Sequence, residues 1–268
     1  MKQIYIVNPI AFNKKAIDYA NILNKNEVIY TKSPLDAQEI SRVYSHKEEI
    51  ETINVIGGDG TVNGVLNGMY GTNKKLGIIP TGINNNIYNS VKDKKTSDIG
   101  VLNGHLFLSS AVIGMPDVEI NSDTYLNNVL RYFFEIQFSN MIALIDSKCK
   151  IIDTLLFAIC NGPYIDNGVK INKQAQIDDG LFELYIINNQ NRLRFLKTLL
   201  KLFSTNNIGK SNGKKIQISK LEADLLGKLT CYIDGEKSAI ANISFRIIKE
   251  GIKIHHDKQL LKTLNLIS

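Results

Sequence analysis

Val55-Ile56-Gly57-Gly58-Asp59-Gly60-Thr61 is the stretch on which the architecture turns. An apolar strand over residues 53–56 runs directly into three glycines within four residues, and residues 62–70 then read as a helix. Glycine lets backbone N–H groups come close to an anion, and the N-terminus of a helix adds positive potential at the same point. Asp59 in such a turn can address a metal ion or a substrate hydroxyl, and Thr61 a phosphate oxygen. A plain tight turn with an Asx cap is the competing reading, but a plain turn rarely needs so many glycines after a buried strand. The pattern GxxxxGK(S/T) and a spaced GxGxxG are both absent.

Working outward, the first ninety or so residues alternate strand and helix. Strands are expected over 3–7, 27–30 and 76–79, and helices over 14–25 and 35–44, the second behind a Ser33-Pro34 start signal. Alternation of this kind argues for a parallel sheet covered on both faces. A second loop, Pro80-Thr81-Gly82-Ile83-Asn84-Asn85-Asn86, follows the strand at 76–79. Two glycine-bearing loops at the ends of adjacent parallel strands would share one crevice, where open α/β sheets bind ligands. Read alone, the second loop could equally be an Asn-rich connector.

After Lys92-Asp93-Lys94-Lys95 the pattern changes. Residues 98–102 and 105–113 flank Asn103-Gly104, a two-residue hairpin signal. A long helix is expected over 125–145, followed by strands over 150–159, 181–187, 214–219, 229–233 and 243–248. The fold class expected is an N-terminal Rossmann-like α/β domain joined to an all-β, antiparallel sandwich domain. The boundaries expected are residues 1–94, with a short helix in 257–268 returning to the first domain, and residues 95–256.

Composition excludes several classes. The chain has 268 residues, 44% hydrophobic and 22% charged, which is ordinary for a soluble globular protein. No stretch approaches the roughly 18 uninterrupted apolar residues needed to span a bilayer, and residues 1–9 read as a first strand rather than a signal peptide. Three cysteines, Cys149, Cys160 and Cys231, form no CxxC pair, which argues against disulfide frameworks and zinc ribbons and for a reducing, cytoplasmic setting. His46, His105, His255 and His256 are scattered, and neither GxSxG nor HExxH is present.

The net charge of +6 is concentrated. Residues 190–221 carry eight positives (Arg192, Arg194, Lys197, Lys201, Lys210, Lys214, Lys215 and Lys220) and no acid, so the rest of the chain sums to 6 − 8 = −2. Leu193, Leu196, Leu200 and Phe203 fall at helical spacing within it. This is either a domain helix with a solvated basic back or a peripheral contact with an anionic membrane surface. With no aromatic interleaving and no recognised motif, nucleic acid is not an expected partner. A homodimer is left open.

Two acidic turns stand out in the strand-rich half, Ile177-Asp178-Asp179-Gly180-Leu181 and Tyr232-Ile233-Asp234-Gly235-Glu236. Asp-Gly is a common hairpin turn, so either alone reads as structure. Phosphoryl transfer to a hydroxyl needs a triphosphate cradle, Mg²⁺ and a carboxylate to accept the proton. The chain has glycine loops and carboxylates to offer for this.

In their order these residues resemble the diacylglycerol-kinase-type lipid kinases, the family that also includes sphingosine and ceramide kinases. Ile6-Val7-Asn8-Pro9 is similar to the family's first strand and turn, and Thr31 stands where a nucleotide-contacting Thr follows the second strand. Residues 57–61 match its GGDGT signature, followed by Asn63 and Asn67-Gly68, and residues 76–80 match the strand before its second nucleotide loop. Asp98, Phe107, Asn161-Gly162, residues 175–180 and Asp234-Gly235-Glu236 match later segments. GGDGT alone is shared with NAD kinases and phosphofructokinases, whereas the ordered set GGDGT, DDG and DGE is far more specific.

The resemblance implies an ATP- and Mg²⁺-dependent kinase acting on a lipid hydroxyl, diacylglycerol or a related lipid, with ATP and headgroup between the two domains and the protein peripheral to a membrane. Carried over, Glu236 looks like the general base. Asn8, Thr31, Gly57, Gly58, Asp59, Gly60, Thr61 and Asn63 look like ATP-site residues, with Thr81 an addition and Asp59 also taking part in catalysis. Asp179 would bind a Mg²⁺ ion with oxygens from Gln176 and Leu181. The chain departs from the pattern in three loops: Ile10-Ala11-Phe12 replaces the Ser-Gly usual after Asn-Pro, residues 82–89 lack the usual Thr, Asp and Arg, and Ile165-Asp166-Asn167-Gly168 replaces a glycine-rich turn after Tyr164. NAD kinase is the alternative enzyme, and a degenerate homologue that binds nucleotide or lipid without turnover is the alternative from another class.

Overall fold

The computed structural model describes residues 2–10, 15–23, 27–33, 35–114, 139–145, 148–165, 169–171, 175–188, 193–194, 196–197, 200 and 214–266. Two compact units emerge, Met1–Ile99 with Lys249–Ser268, and Gly100–Ile248.

The first unit is built on β1 (Lys2–Val7), β2 (Val28–Tyr30), β3 (Ile50–Gly57) and β4 (Lys75–Pro80). Every pairing among them is parallel: β1 lies between β2 and β3, and β4 follows β3. Residues 253–255 of the final strand, Glu236–His255, extend this sheet by pairing in parallel with residues 75–77. That pairing carries the chain back into the first unit from residue 249, earlier than the expected return at 257.

Helices α1 (Lys15–Ala20), α2 (Asp36–Ser45), α3 (Asp59–Met69) and α4 (Asn86–Val91) connect the strands. Residues on both faces of β3, Ile53, Val55 and Ile56 with Asn54 between them, are fully buried, as expected for a strand covered on both faces. A last helix, α5 (Lys258–Thr263), is capped by Asp257, whose Oδ1 accepts Leu260 N at 2.9 Å. It packs through Leu260 and Leu264 on Tyr5 and Val7 of β1. Tyr5 Oη donates to Asp257 Oδ2 at 3.3 Å, and burial together with that carboxylate pushes the Tyr5 phenol above its ordinary range.

Small residues four apart set the α2–α3 contact. A Cβ on Gly64 would touch Ala37 Cβ at 3.3 Å, and one on Gly68 would coincide with Ser41 Oγ and the Gln38 carbonyl oxygen. We expect Gly68→Ala to destabilise the fold by about 2 kcal/mol, the overpacking cost outweighing alanine's better helix propensity. Urea denaturation checks this, and a stabilised variant would show that the two helices are not packed backbone to backbone.

The second unit pairs antiparallel throughout its described strands. The hairpin β5 (Thr96–Leu102) to β6 (His105–Phe107) turns at Asn103-Gly104, with positive φ of 49° and 88°. This is the left-handed pair that a two-residue hairpin of type I′ demands. Next come β7 (Ser110–Ile113), β8 (Ser139–Ile145), β9 (Lys148–Cys160), the small hairpin β10 (Tyr164–Ile165) to β11 (Val169–Lys170), β12 (Phe182–Asn188) and β13 (Lys214–Ile218). The long pair β14 (Lys220–Ile233) and β15 (Glu236–His255) closes the chain. Both β7 and β8 lie between β9 and β14, at opposite halves of those two strands.

The core of this unit centres on Phe107, Phe182 and Phe245, with Phe107 edge-on to Phe182 at 5.6 Å. Cys231 belongs to it and Cys160 is likewise buried; burial pushes the Cys231 thiol up to about 12 and Cys160 well above its ordinary value. Neither thiol is poised as a nucleophile.

One expected element is corrected. The helix anticipated over 125–145 ends differently, because residues 139–145 form β8 between β9 and β14. The apolar run there satisfies either period, and ladder pairing on both sides decides for strand; the remainder of that expected helix lies outside the described residues. Of the basic stretch, Leu193, Arg194, Leu196, Lys197 and Leu200 are helical, and the other residues of its apolar stripe lie outside the described residues. No helix among the described residues is long and apolar enough to cross a membrane.

Candidate active site

In the first unit the sequence-predicted residues meet at the carboxyl ends of the parallel strands. The helix α3 starts at once after Gly58, so its first turn carries Asp59, Gly60 and Thr61, and Val62 N donates to the Gly58 carbonyl at 3.1 Å. Gly58, as N-cap, offers no side chain to the first-turn amides, which leaves the helix N-terminus suited to an anion. Asn8 follows β1: its N–H donates to the Ile56 carbonyl, its Nδ2 to Thr61 Oγ1 at 3.1 Å, and its Oδ1 accepts Ile10 N at 3.1 Å. Thr31, buried just past β2, donates from both N and Oγ1 to the Val7 carbonyl. On α3 Asn63 faces Asn67, whose Nδ2 donates to Asn63 Oδ1 at 3.0 Å.

The second loop lies against the first. Thr81 N donates to the Gly57 carbonyl at 3.1 Å, and a Cβ built on Gly58 would sit 3.3 Å from Gly82 Cα. Thr81 is only 3% exposed, yet its Oγ1 has no hydrogen-bond partner among the described residues. A buried hydroxyl without a partner costs stability, and beside an open helix N-terminus it suits a polar ligand. Asn85, where the family pattern also has Asn, closes the loop: at φ 50° its Oδ1 accepts Gly82 N and its Nδ2 donates to the Gly82 carbonyl, both at 2.8 Å. Ile10 and Ile83 stand 84% and 78% exposed, so two of the departures in sequence place apolar side chains at the rim of these loops.

The Asp59 carboxylate takes Asn86 N on Oδ2 at 2.8 Å and Ile87 N on Oδ1 at 3.0 Å. It thereby joins the GGDGT turn to the first amides of α4. The reason is geometric: six-residue α4 begins without a side-chain cap of its own, and a carboxylate satisfies its orphan donors.

In the second unit Gln176, Asp179 and Leu181 share one turn. Ile177 and Phe182 are buried in the core, while Gln176 and Asp179 are exposed and Leu181 is 37% exposed. Asp179 Oδ1 accepts Leu181 N at 2.9 Å, and Gly180 has φ +75°. The available donors are oxygens, which suits a hard cation that keeps several waters. Among the described residues no group of three or more His, Cys, Asp or Glu could hold a metal ion; the donors this turn offers are the Asp178 and Asp179 carboxylates with carbonyl and amide oxygens.

Glu236 opens β15 at the tip of the β14–β15 hairpin, exposed, with Ile233 as its partner across the turn. The residue that sequence reasoning missed is two positions before it. Asp234 is 4% exposed, and its carboxylate accepts three backbone N–H groups: Leu108 and Ser109 at 2.8 Å and Ser110 at 3.0 Å. Asn161 holds the same segment by donating from Nδ2 to the Leu108 carbonyl at 3.1 Å. Asp-Gly read as an ordinary turn, and nothing local shows that its carboxylate is buried.

Comparison with known proteins follows this division. Residues 4–105 match the model of the diacylglycerol kinase catalytic domain, and residues 117–256 match that of the YegS C-terminal NAD kinase beta sandwich-like domain. The chain belongs to the diacylglycerol kinase-type lipid kinase family. A diacylglycerol kinase of Staphylococcus carnosus is 24% identical over 251 residues, covering 81% of this chain and 80% of the relative. A provisionally named lipid kinase of Streptococcus pneumoniae is 36% identical over 94 residues, and that match spans 31% of this chain and only 32% of the relative's length. A crystal structure of a provisionally named diacylglycerol kinase from Bacillus anthracis str. Sterne superposes with a TM-score of 0.79 at 18% identity, covering 97% of this chain and 98% of that one. This likeness establishes the lipid kinase fold: an α/β sheet unit followed by an antiparallel β-rich one.

Proposed function

We propose that this protein transfers the γ-phosphoryl group of ATP to a hydroxyl of a lipid headgroup, that of diacylglycerol or a related lipid. The observation that carries the reading is the close approach of the 57–61 turn to Thr81-Gly82 beside a buried hydroxyl that has no partner among the described residues, in a chain of the lipid kinase family. Backbone amides of Gly58, Gly60 and Thr61 would hold the phosphates, with Asn8, Thr31, Gly57, Asn63 and Thr81 shaping the cradle and Asp59 keeping the second loop in place. The lipid oxygen attacks the γ-phosphorus, the bond to the β-phosphate oxygen breaks, and the hydroxyl proton passes to Glu236. Mg²⁺, brought with ATP, would neutralise charge on the phosphates. A further ion would be held by Asp179 with Gln176 and the Leu181 backbone, and its part would be structural. Transient attachment to an anionic leaflet through the basic stretch 190–221 belongs to the same reading.

Incubation with labelled ATP, Mg²⁺ and a total lipid extract, followed by chromatography, tests this. We expect one labelled, newly acidic lipid whose formation stops on chelation. Formation of NADP from NAD with no labelled lipid would move the protein to the NAD kinases. ATP binding by calorimetry without turnover on any lipid would make it a binding homologue.

A further inference from the structure

We propose that Asp234 is the positioning residue for the Glu236 carboxylate, an inference that rests on Glu236 being the base. A two-residue hairpin turn of type I′ needs two left-handed residues, and Asp234 and Gly235 supply them with φ of 48° and 89°. Asn-Gly would serve that turn equally well, with no need of a buried charge. Asp234 goes further. Its carboxylate gathers the amides of Leu108, Ser109 and Ser110, and its own N–H donates to the Ser110 carbonyl at 2.8 Å. A carboxylate that accepts several backbone N–H groups makes strong, charge-assisted bonds.

The segment it grips is itself immobilised. Asn161 N donates to the Ser109 carbonyl at 2.9 Å, Ser109 Oγ donates to the Tyr164 carbonyl at 3.2 Å, and residues 110–113 pair with β9 and, through 111–113, with β14. An exposed glutamate at a hairpin tip would otherwise move with the tip. Here the backbone two residues before it is locked to a buried loop, so the direction in which Glu236 leaves the strand is set by Asp234. General-base catalysis depends on that direction, since misplacement of about 1 Å can cost on the order of a hundredfold in rate.

A double-mutant cycle tests this with Asp234→Asn, Glu236→Gln and the pair, reading kcat, KM for ATP and Tm. Asparagine keeps one oxygen but turns an NH₂ group toward a backbone N–H. We expect D234N to lower kcat about ten- to hundredfold with KM for ATP unchanged. In the E236Q background it should lower kcat no further, while lowering Tm equally in both backgrounds. A D234N variant that loses Tm alone, or whose kcat loss multiplies with that of E236Q, overturns the inference. Full activity in E236Q alone would instead remove the base, and the inference with it. If D234N does not fold, Asn161→Ala loosens the same loop from its other side and enters the same cycle, with the same two outcomes deciding.

Discussion

Glu236→Gln is expected to lower kcat for ATP-dependent lipid phosphorylation by about 10²–10⁴-fold, the usual contribution of a positioned general base. The substitution keeps size and shape and removes only the capacity to accept a proton. Glu236 is exposed and pairs with Ile233 across the strand, so the hairpin should persist and Tm should stay within a degree or so. KM for ATP should also hold, because on the proposed reading the phosphates would be held by residues of the first unit. Phosphorylation of diacylglycerol in mixed micelles is the measurement. Full activity in the variant would take Glu236 out of the proposed role while leaving the fold and the family untouched.

Gly82→Ala should act on the other half of the chemistry. A Cβ at Gly82 would lie 2.7 Å from Gly58 Cα and 3.0 Å from Asn85 Oδ1. The first neighbour is backbone, so it cannot swing aside, and the second belongs to the hydrogen bonds that close the loop. The two loops must therefore part, which strains the Thr81 N–H bond to Gly57 and displaces the amides at the start of α3. Overpacking of about 1–3 kcal/mol, spent on the binding geometry, corresponds to roughly ten- to hundredfold weaker ATP binding. Calorimetry with ATP reads it directly. Unchanged affinity would mean that the contact between the loops has no part in holding the nucleotide.

These two expectations differ in how they were reached. Glu236 is singled out through the resemblance to the lipid kinases, which rests on GGDGT, DDG and DGE occurring in one order. Gly82 was legible only as a member of a second glycine-bearing loop. That its α-carbon approaches Gly58 closely is a fact of tertiary packing, since the two residues are separated by a helix and a strand. Asp59 shows the limit from the other side. Its position in the signature was plain, but its partners, the amides of Asn86 and Ile87, come from the start of α4 and no local pattern points to them.

The short-range features were written in the chain because they depend on neighbours in sequence: the alternation of apolar runs and amphipathic segments, the left-handed turns at Asn103-Gly104 and Asp234-Gly235, and the glycine turn that starts α3. Residues 139–145 escaped, since an apolar run is compatible with helix and strand until partners on both flanks choose. What required the folded molecule was everything set by burial of charge. The Asp234 carboxylate, kept from water and satisfied by three amides more than a hundred residues away, is stable only because the surrounding strands bring those amides together.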